Sequence, residues 1–270
     1  MRRLKVGIIG CGTIGSEIAK ACQDRLRDKI NLIGIYDIDK AKSLSLSHML
    51  KKKAPILKLD NLIKKVDMVI EAASAAVSAS LVEKAIKTKK DIFIMSVGGL
   101  LGKESLLRLA EKRGINVYLP SGAICGIDGL KAGSIGRIDS VTLTTKKPPK
   151  GLEGAPYLKK NRVDLSRIKE ETLIFEGSAA DAVANFPQNV NVCAALSLAG
   201  IGADKTRVRI ITSPDYTKNI HEVEMTGDFG KIVTRTENVP SRTNPKTSAL
   251  AIMSAIATLE GIVNNVKIGT

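Results

Sequence analysis

Three glycines near the start of the chain, Gly10-x-Gly12-x-x-Gly15, constrain its fold more than any other feature. They follow a short apolar run, Lys5–Ile9. They open a stretch, Ile14–Arg27, in which Ile14, Ile18, Ala21 and Cys22 recur at helical spacing. A strand that passes through a glycine turn into a helix is an arrangement that holds a dinucleotide. Gly10 allows the tight turn, Gly12 lets backbone approach a pyrophosphate, and Gly15 lets the helix settle on the strand. The helix start, with Thr13 and Ile14 as its first residues, offers unpaired N–H groups and partial positive charge to phosphates. The next apolar run, Asn31–Tyr36, ends on Asp37, 22 positions after Gly15. A carboxylate there can accept hydrogen bonds from both ribose hydroxyls of an adenosine, and it favours NAD over NADP by repelling a 2′-phosphate. Lys40 and Lys42 lie close by and soften that preference, so use of both cofactors stays open.

Beyond the motif, strand and helix alternate up to residue 120. Strands are predicted at Val66–Glu71, Asp91–Met95 and Asn116–Leu119, and helices at Ala41–Leu50, Ser74–Lys87 and Lys103–Arg113. Alternation of this kind predicts a Rossmann-type, doubly wound parallel sheet with helices on both faces. The texture changes near Pro120. Ile138–Thr145 alternates apolar and polar residues, a Pro- and Lys-rich loop spans Lys146 to Asn161, and Thr172–Phe175 reads as a strand. One helix is expected over Ala179–Leu198, irregular at Pro187, followed by strands at Arg207–Thr212, Ile220–Gly227 and Lys231–Glu237. The chain is therefore expected to form an α/β protein of two domains. Residues 1–120 make the dinucleotide-binding domain, and 121–243 make an α+β substrate domain with a mainly antiparallel sheet. A last helix, over about 244–263, has the option of packing back on the first domain.

Composition narrows the function classes. The net charge is +15, from 42 Lys and Arg against 27 Asp and Glu, which attracts anions. The positive residues fall in short clusters such as Lys51-Lys52-Lys53 and Lys146-Lys147, and these are expected on solvated surface. Aromatic residues make up only 3% of the chain, too few for a base-stacking platform, and no helix-turn-helix or zinc-finger spacing is visible, so no nucleic-acid partner is expected. Cys11, Cys22, Cys125 and Cys193 include no C-x-x-C pair, and the only histidines are His48 and His221, so no metal site is expected. The cysteine usage fits a reducing cytoplasm. No apolar stretch reaches membrane-spanning length, so no membrane partner is expected.

A dinucleotide site needs a second half that holds the nicotinamide. It lies past the carboxyl ends of the strands. Glu71-Ala72-Ala73-Ser74 and Ser96-Val97-Gly98-Gly99 end strands there, and both also read as ordinary strand-to-helix turns. The small residues of Pro120-Ser121-Gly122-Ala123-Ile124-Cys125-Gly126 suit close approach to a flat ring. Oxidising an alcohol or amine also needs a proton acceptor, usually histidine. His48 sits late in a surface helix beside lysines. By elimination His221, on an alternating strand with Asn219 and Val223, is the candidate, although a lone strand histidine is more often structural. An acidic substrate would dock on Arg242, Lys246, Thr247 and Ser248 near the start of the last helix, where Thr243 or Asn244 would equally serve as helix cap.

These segments, taken in order, resemble the L-aspartate dehydrogenase family over nearly the whole chain. The likeness rests on Gly10-Cys11-Gly12-Thr13-Ile14-Gly15, Glu71-Ala72-Ala73-Ser74 and Ser121-Gly122-Ala123-Ile124-Cys125-Gly126-Ile127-Asp128. It continues through Phe186-Pro187-Gln188-Asn189-Val190-Asn191-Val192, Asn219-Ile220-His221-Glu222-Val223 and Asn244-Pro245-Lys246-Thr247-Ser248. The resemblance implies a small-molecule enzyme that interconverts L-aspartate with oxaloacetate and ammonia through iminoaspartate, using NAD or NADP. It implies that His221 is the acid–base residue. It also implies that Ala123, Cys125 and Asn191 touch the cofactor; the strand-end turn adds Ala72, Ala73 and Ser74, and Asn189 is expected at the substrate. The family often has alanine where this chain has Cys125, which weakens a side-chain role there. A link to NAD biosynthesis completes what it implies, while a homodimer is expected from edge or face pairing of exposed strands in the second domain. Two rivals remain at this point: another two-domain NAD(P)-dependent oxidoreductase, and a dinucleotide sensor without catalysis.

Overall fold

The computed structural model describes residues 2–187, 191–244 and 247–269. The chain forms two compact units. One comprises the chain up to Pro120 together with Ile252–Lys267, and the other comprises Ser121–Ala251 with the last residues from Ile268.

The first unit is built on strands β1 (Leu4–Ile9), β2 (Ile30–Tyr36), β3 (Met68–Glu71), β4 (Asp91–Ile94) and β5 (Val117–Tyr118). They lie in the order β2-β1-β3-β4-β5, and every neighbouring pair is parallel, as the alternation predicts. A parallel sheet covered on both faces wants strands that are apolar throughout. Accordingly all four residues of β3 are buried. The crossovers run through α1 (Thr13–Gln23), α2 (Lys40–Met49), α3 (Leu59–Lys65), α4 (Ala75–Thr88) and α5 (Glu104–Lys112). Helix α4 buries Ser78, Leu81, Val82, Ala85 and Ile86, a stripe at spacings of three and four.

The second unit holds a five-stranded sheet in the order β10-β9-β6-β8-β7. Its strands are β6 (Ile138–Lys147), β7 (Thr172–Ser178), β8 (Arg207–Thr212), β9 (Asn219–Gly227) and β10 (Gly230–Asn238). All neighbours are antiparallel except β6 and β8. Helices α6 (Ile127–Gly133), α7 (Pro156–Lys160), α8 (Ala179–Asn185) and α9 (Asn191–Ala199) complete it. Its core joins Val141, Leu143, Val208, Ile210, Val223 and Met225 of the sheet to Phe186, Cys193 and Leu196. Tyr157, Phe175 and Phe186 form an aromatic cluster there, with ring centroids 5.3–5.4 Å apart.

Four expectations need correction. The helix predicted over Ala179–Leu198 is two helices, because Pro187 has no N–H to give and restricts the residue before it. A capping box between Ser178 and Asp181 starts the first of them. The predicted loop from Lys146 is shorter, since β6 continues to Lys147 and α7 follows a tight turn at Pro149–Leu152. The short helices α3 and α6 were not predicted, for they span too few turns to establish a period. The last helix, α10 (Ala249–Val263), starts at Ala249 rather than just after Pro245. Before it Ser248 bridges to Pro240, and the Ala249 N–H donates to the Val239 carbonyl. Thr243 and Asn244 therefore do not cap it. Ala255 and Leu259 of α10 are fully buried in the first core, and Arg25 grips Glu260 through two hydrogen bonds of 2.7 and 3.1 Å.

Candidate functional site

In the first unit the strand order reverses between β1 and β3. Ligands of open α/β sheets bind in the crevice at such a reversal, past the strand ends. The turns after these two strands meet there. Gly10 has φ of +99°, and a Cβ on it would lie 2.4 Å from the Ala72 carbonyl oxygen and 2.6 Å from the Ala73 nitrogen. A Cβ on Gly15 would lie 1.9 Å from the Gly10 carbonyl oxygen, so the helix rests directly on the turn. Gly12 differs, because a Cβ there would meet nothing within 4 Å. It is the exposed N-cap of α1 and supplies no capping side chain. The first N–H groups of α1, from Thr13, Ile14 and Gly15, thus end at a bare, uncrowded surface, which fits a pyrophosphate.

Asp37 follows β2 and closes the motif. Its Oδ2 accepts from the Cys11 N–H at 2.7 Å, and its Oδ1 accepts from the Asp39 N–H at 2.9 Å. A carboxylate has about four acceptor positions, so capacity remains for ribose hydroxyls.

Glu71, expected as the last residue of its strand, ends β3 and is fully buried. Its Oε1 accepts from the Ala73 N–H at 2.8 Å and from Ser96 Oγ at 2.7 Å, and its Oε2 accepts from the Ser96 N–H at 2.9 Å. Burial raises its pKa, and these donors oppose the rise. One carboxyl thus staples the two strand-end turns, 71–74 and 96–99, to each other. Ser74 is exposed at the start of α4 with no capping hydrogen bond from its side chain.

The second unit carries a polar end on an otherwise apolar sheet face. His221 on β9 stands opposite Thr145 on β6 and Thr236 on β10. The His221 Nδ1 and Thr145 Oγ1 are 3.0 Å apart. Two residues further along, the same face brings Asn238 opposite Asn219 and Thr212 opposite Lys147. His221 is only 6% exposed and Lys147 only 7%. Burial pushes the Lys147 ammonium down to about 8. Burial, and then the charge of Lys147, push His221 down to about 3. The imidazole is therefore neutral at neutral pH.

This corrects the expectation that Lys146-Lys147 lies on solvated surface. Lys146 does face outward, toward Glu171 and Glu222. Lys147 faces inward and lines a small cavity with Thr145, Leu152, Phe186 and Cys193. His48, by contrast, is exposed on α2, as expected.

The segment 121–126 is tied along β10. The buried Ala123 gives its carbonyl to Thr236 Oγ1 at 3.1 Å and to Asn238 Nδ2 at 3.0 Å. Thr236 Oγ1 also donates to the His221 carbonyl at 3.3 Å. Ser248 Oγ donates to Asn238 Oδ1 at 2.7 Å. Ser248, Asn238, Ala123, Thr236 and His221 are thus one network. Cys125 is exposed, and its carbonyl accepts from Thr234 Oγ1 at 3.2 Å. A Cβ on Gly122 would come within 3.8 Å of Val192, so the start of α9, where Asn191 lies exposed, adjoins this segment. Thr247 contributes backbone contacts to Ser241 and Asn244. Asn189 and Lys246 lie outside the described residues.

Comparison with known proteins bears on the same two regions. Residues 128–262 match the family model described as aspartate dehydrogenase, C-terminal, and residues 10–120 match that described as homoserine dehydrogenase, NAD binding domain. An L-aspartate dehydrogenase of Methanococcoides burtonii is 46% identical over 99% of this chain and 100% of its own length. One from Nitrosopumilus maritimus is 40% identical over 98% of this chain and 99% of its own. The crystal structure of aspartate dehydrogenase from Thermotoga maritima superposes with a TM-score of 0.74 at 26% identity, covering 99% of this chain and all of that one.

Proposed function

This chain belongs to the aspartate dehydrogenase family, and from that premise we propose that it oxidises L-aspartate through iminoaspartate to oxaloacetate and ammonia, and runs the reverse amination. The observation that carries the reading is His221: buried, neutral and held through Nδ1 by Thr145. The chemistry that bound NAD would supply is acceptance of a hydride from the substrate Cα. The chain's own residues do the rest. Gly10, Gly12 and Gly15, with the N–H groups of Thr13 and Ile14, seat the pyrophosphate, and Asp37 takes the ribose hydroxyls. Ala72, Ala73 and Ser74 are proposed to line the path of the dinucleotide, and Ala123, Cys125 and Asn191 are the further proposed cofactor contacts. If the neutral ring donates Nδ1–H to Thr145, then Nε2 carries the lone pair that accepts the amine proton. In the amination direction the imidazolium returns that proton. The hydroxyl of Thr145 serves as donor or acceptor, so it holds the ring in either tautomer. Thr247 and Ser248, with Asn189 and Lys246, are the proposed substrate contacts.

Asp37 favours NAD, with NADP as a weaker second cofactor, since Lys40 and Lys42 stand near. The wider reading is a cytoplasmic homodimer whose imine product is available to pyridine-nucleotide synthesis. The open edge of β10 supports the dimer. The test is NADH consumption with oxaloacetate plus ammonium, for wild type and His221→Ala. Ammonium-dependent turnover should fall by about 10²–10⁴-fold in the variant, with NADH affinity unchanged. No turnover with oxaloacetate, despite NADH binding, would refute the substrate assignment.

A further inference from the structure

We infer that Glu71 is a positioning residue for the nicotinamide half of the dinucleotide: its buried carboxylate fixes the two strand-end turns on which that half rests. The inference rests on the glycine turn as a cofactor cradle and deepens that reading.

At the carboxyl ends of the parallel strands the backbone ladder stops, and two carboxylates take over its donors. Between β1 and β2 the last rung is the Gly10 N–H on the Tyr36 carbonyl at 2.8 Å. The next donor, the Cys11 N–H, goes to Asp37. Across β1, β3 and β4 the last rungs are the Ala72 N–H on the Ile9 carbonyl at 2.8 Å and the Met95 N–H on the Glu71 carbonyl at 3.0 Å. The next donors, the Ala73 N–H and the Ser96 N–H, both go to the Glu71 carboxylate, with Ser96 Oγ as a third. Each carboxylate thus extends the sheet one step past its last rung. The two differ in reach. Asp37 is half-buried and keeps acceptor positions for a ligand. Glu71 is fully buried, so it acts only through the backbone it holds. That backbone is at the surface: Ala73 and Ser74 are exposed, and the Ala73 nitrogen lies against the glycine turn, 2.6 Å from where a Cβ on Gly10 would stand. In the turn that Ser96 opens, a Cβ on Gly99 would lie 2.0 Å from the Ala75 carbonyl oxygen. The two turns are therefore tied by the carboxylate on one side and by close packing on the other.

Strand order assigns the halves of the ligand. Asp37 follows β2 on one side of the glycine turn, and the turns that Glu71 holds follow β3 and β4 on the other. With adenosine at Asp37 and the pyrophosphate at the glycine turn, the nicotinamide half extends toward β3 and β4. No neutral side chain of the same shape replaces the carboxylate. A backbone N–H faces each of its oxygens, so an amide in either orientation sets N–H₂ against N–H. Among the described residues, no cation stands among its partners. A buried anion held only by neutral donors costs stability, whereas an apolar side chain would leave the two turns untied.

The experiment is binding of NADH and of ADP, which lacks the nicotinamide half, to the full chain. Titration calorimetry on wild type, Glu71→Gln, Ser96→Ala and the double variant gives the affinities, at a temperature where thermal melting shows each to be folded. Glu71→Gln should lose about tenfold or more in NADH affinity, the scale of one lost hydrogen bond to a charged group, and keep ADP within about threefold of wild type. Ser96→Ala keeps the carboxylate and every N–H, so it should weaken NADH less, again without moving ADP. The double variant should lose no more than Glu71→Gln alone, because the hydroxyl then has no carboxylate to serve. A unit that is merely loosened would lose NADH and ADP together. The inference is overturned if the two affinities fall alike, or if Glu71→Gln keeps NADH within about threefold of wild type. Should Glu71→Gln fail to fold, Ser96→Ala decides: weaker NADH with ADP unmoved supports the inference, and any other result overturns it. Wild type that binds neither ligand would refute the cofactor reading and the inference with it. Wild type that binds both, with no selective loss in the variants, refutes the inference alone, so the two failures are distinguishable.

Discussion

Replacing Lys147 by Met removes a charge from the inside of the second unit and nearly preserves the length of the side chain. Burial lowers this ammonium from an ordinary lysine value of 10.5 to about 8. The gap is about 2.5 on the pH scale, and at about 1.36 kcal/mol each it amounts to roughly 3 kcal/mol against the charged form. Below about pH 8 the folded and unfolded chains both carry the proton, and the whole penalty is present. Between about 8 and 10.5 the folded chain gives up its proton first, so stability rises with pH. Above that window both states are neutral and the penalty is gone. Leu152, Phe186 and Val208 around the cavity suit a methionine. Lys147→Met should therefore stabilise the second unit at pH 7 by up to about 3 kcal/mol, or roughly 5–10 °C in melting temperature for a unit of this size. Scanning calorimetry at pH 7 and pH 10.5, at one ionic strength, measures it. The gain should be clear at pH 7 and should shrink to about 2 °C or less at pH 10.5. A variant that melts no higher than wild type at pH 7, or a gain that does not change with pH, would refute the reasoning.

The glycine turn separates crowding from ligand approach. Gly15→Ala drives a Cβ to 1.9 Å from the Gly10 carbonyl and should cost the first unit roughly 3 kcal/mol, seen as a lowered melting temperature. Gly12→Ala meets no protein atom, so stability should hold within about 0.5 kcal/mol while NADH affinity in a titration falls at least tenfold. Asp37→Ser should move the ratio of kcat/KM for NADP over NAD upward by about tenfold or more, and an unchanged ratio would remove Asp37 from ribose recognition. Glu71→Gln places an amide N–H₂ against donors that a carboxylate satisfies, so a loss of about 1–3 kcal/mol in the first unit is expected by thermal melting.

The first unit was legible because its signals are local. A glycine turn, a strand before it and an acidic residue after it lie within one stretch of chain, and the order of the parallel strands follows from alternation. Glu71 was missed for the opposite reason. Its partner Ser96 is 25 positions away, and only strand pairing brings the two turns together. His221 was reached by elimination and resemblance, but the Thr145 that holds it was not, since that contact depends on register between β6 and β9. Lys147 is the instructive case. Val141, Leu143 and Thr145 point inward, and side chains alternate along a strand, so Lys147 continues that inward phase while Lys146 cannot. Two adjacent lysines look like one solvated cluster in composition, but a strand sends them to opposite faces. That parity was available in the sequence, hidden by the expectation that β6 ended at Thr145.

Helix α10 carries a consequence for biosynthesis. Ala255 and Leu259 are core residues of the unit that begins at the N-terminus, so that unit is discontinuous in the chain. A ribosome delivers the glycine turn before the second unit and the buried face of α10 after it. The second unit is drawn from Ser121–Ala251 with only the last residues from Ile268 added, and that long segment is free to fold as it emerges. The dinucleotide-binding unit must wait with an incomplete core until α10 has followed the second unit out. A chain cut before α10 lacks Ala255 and Leu259, and with them part of the packing beneath the glycine turn.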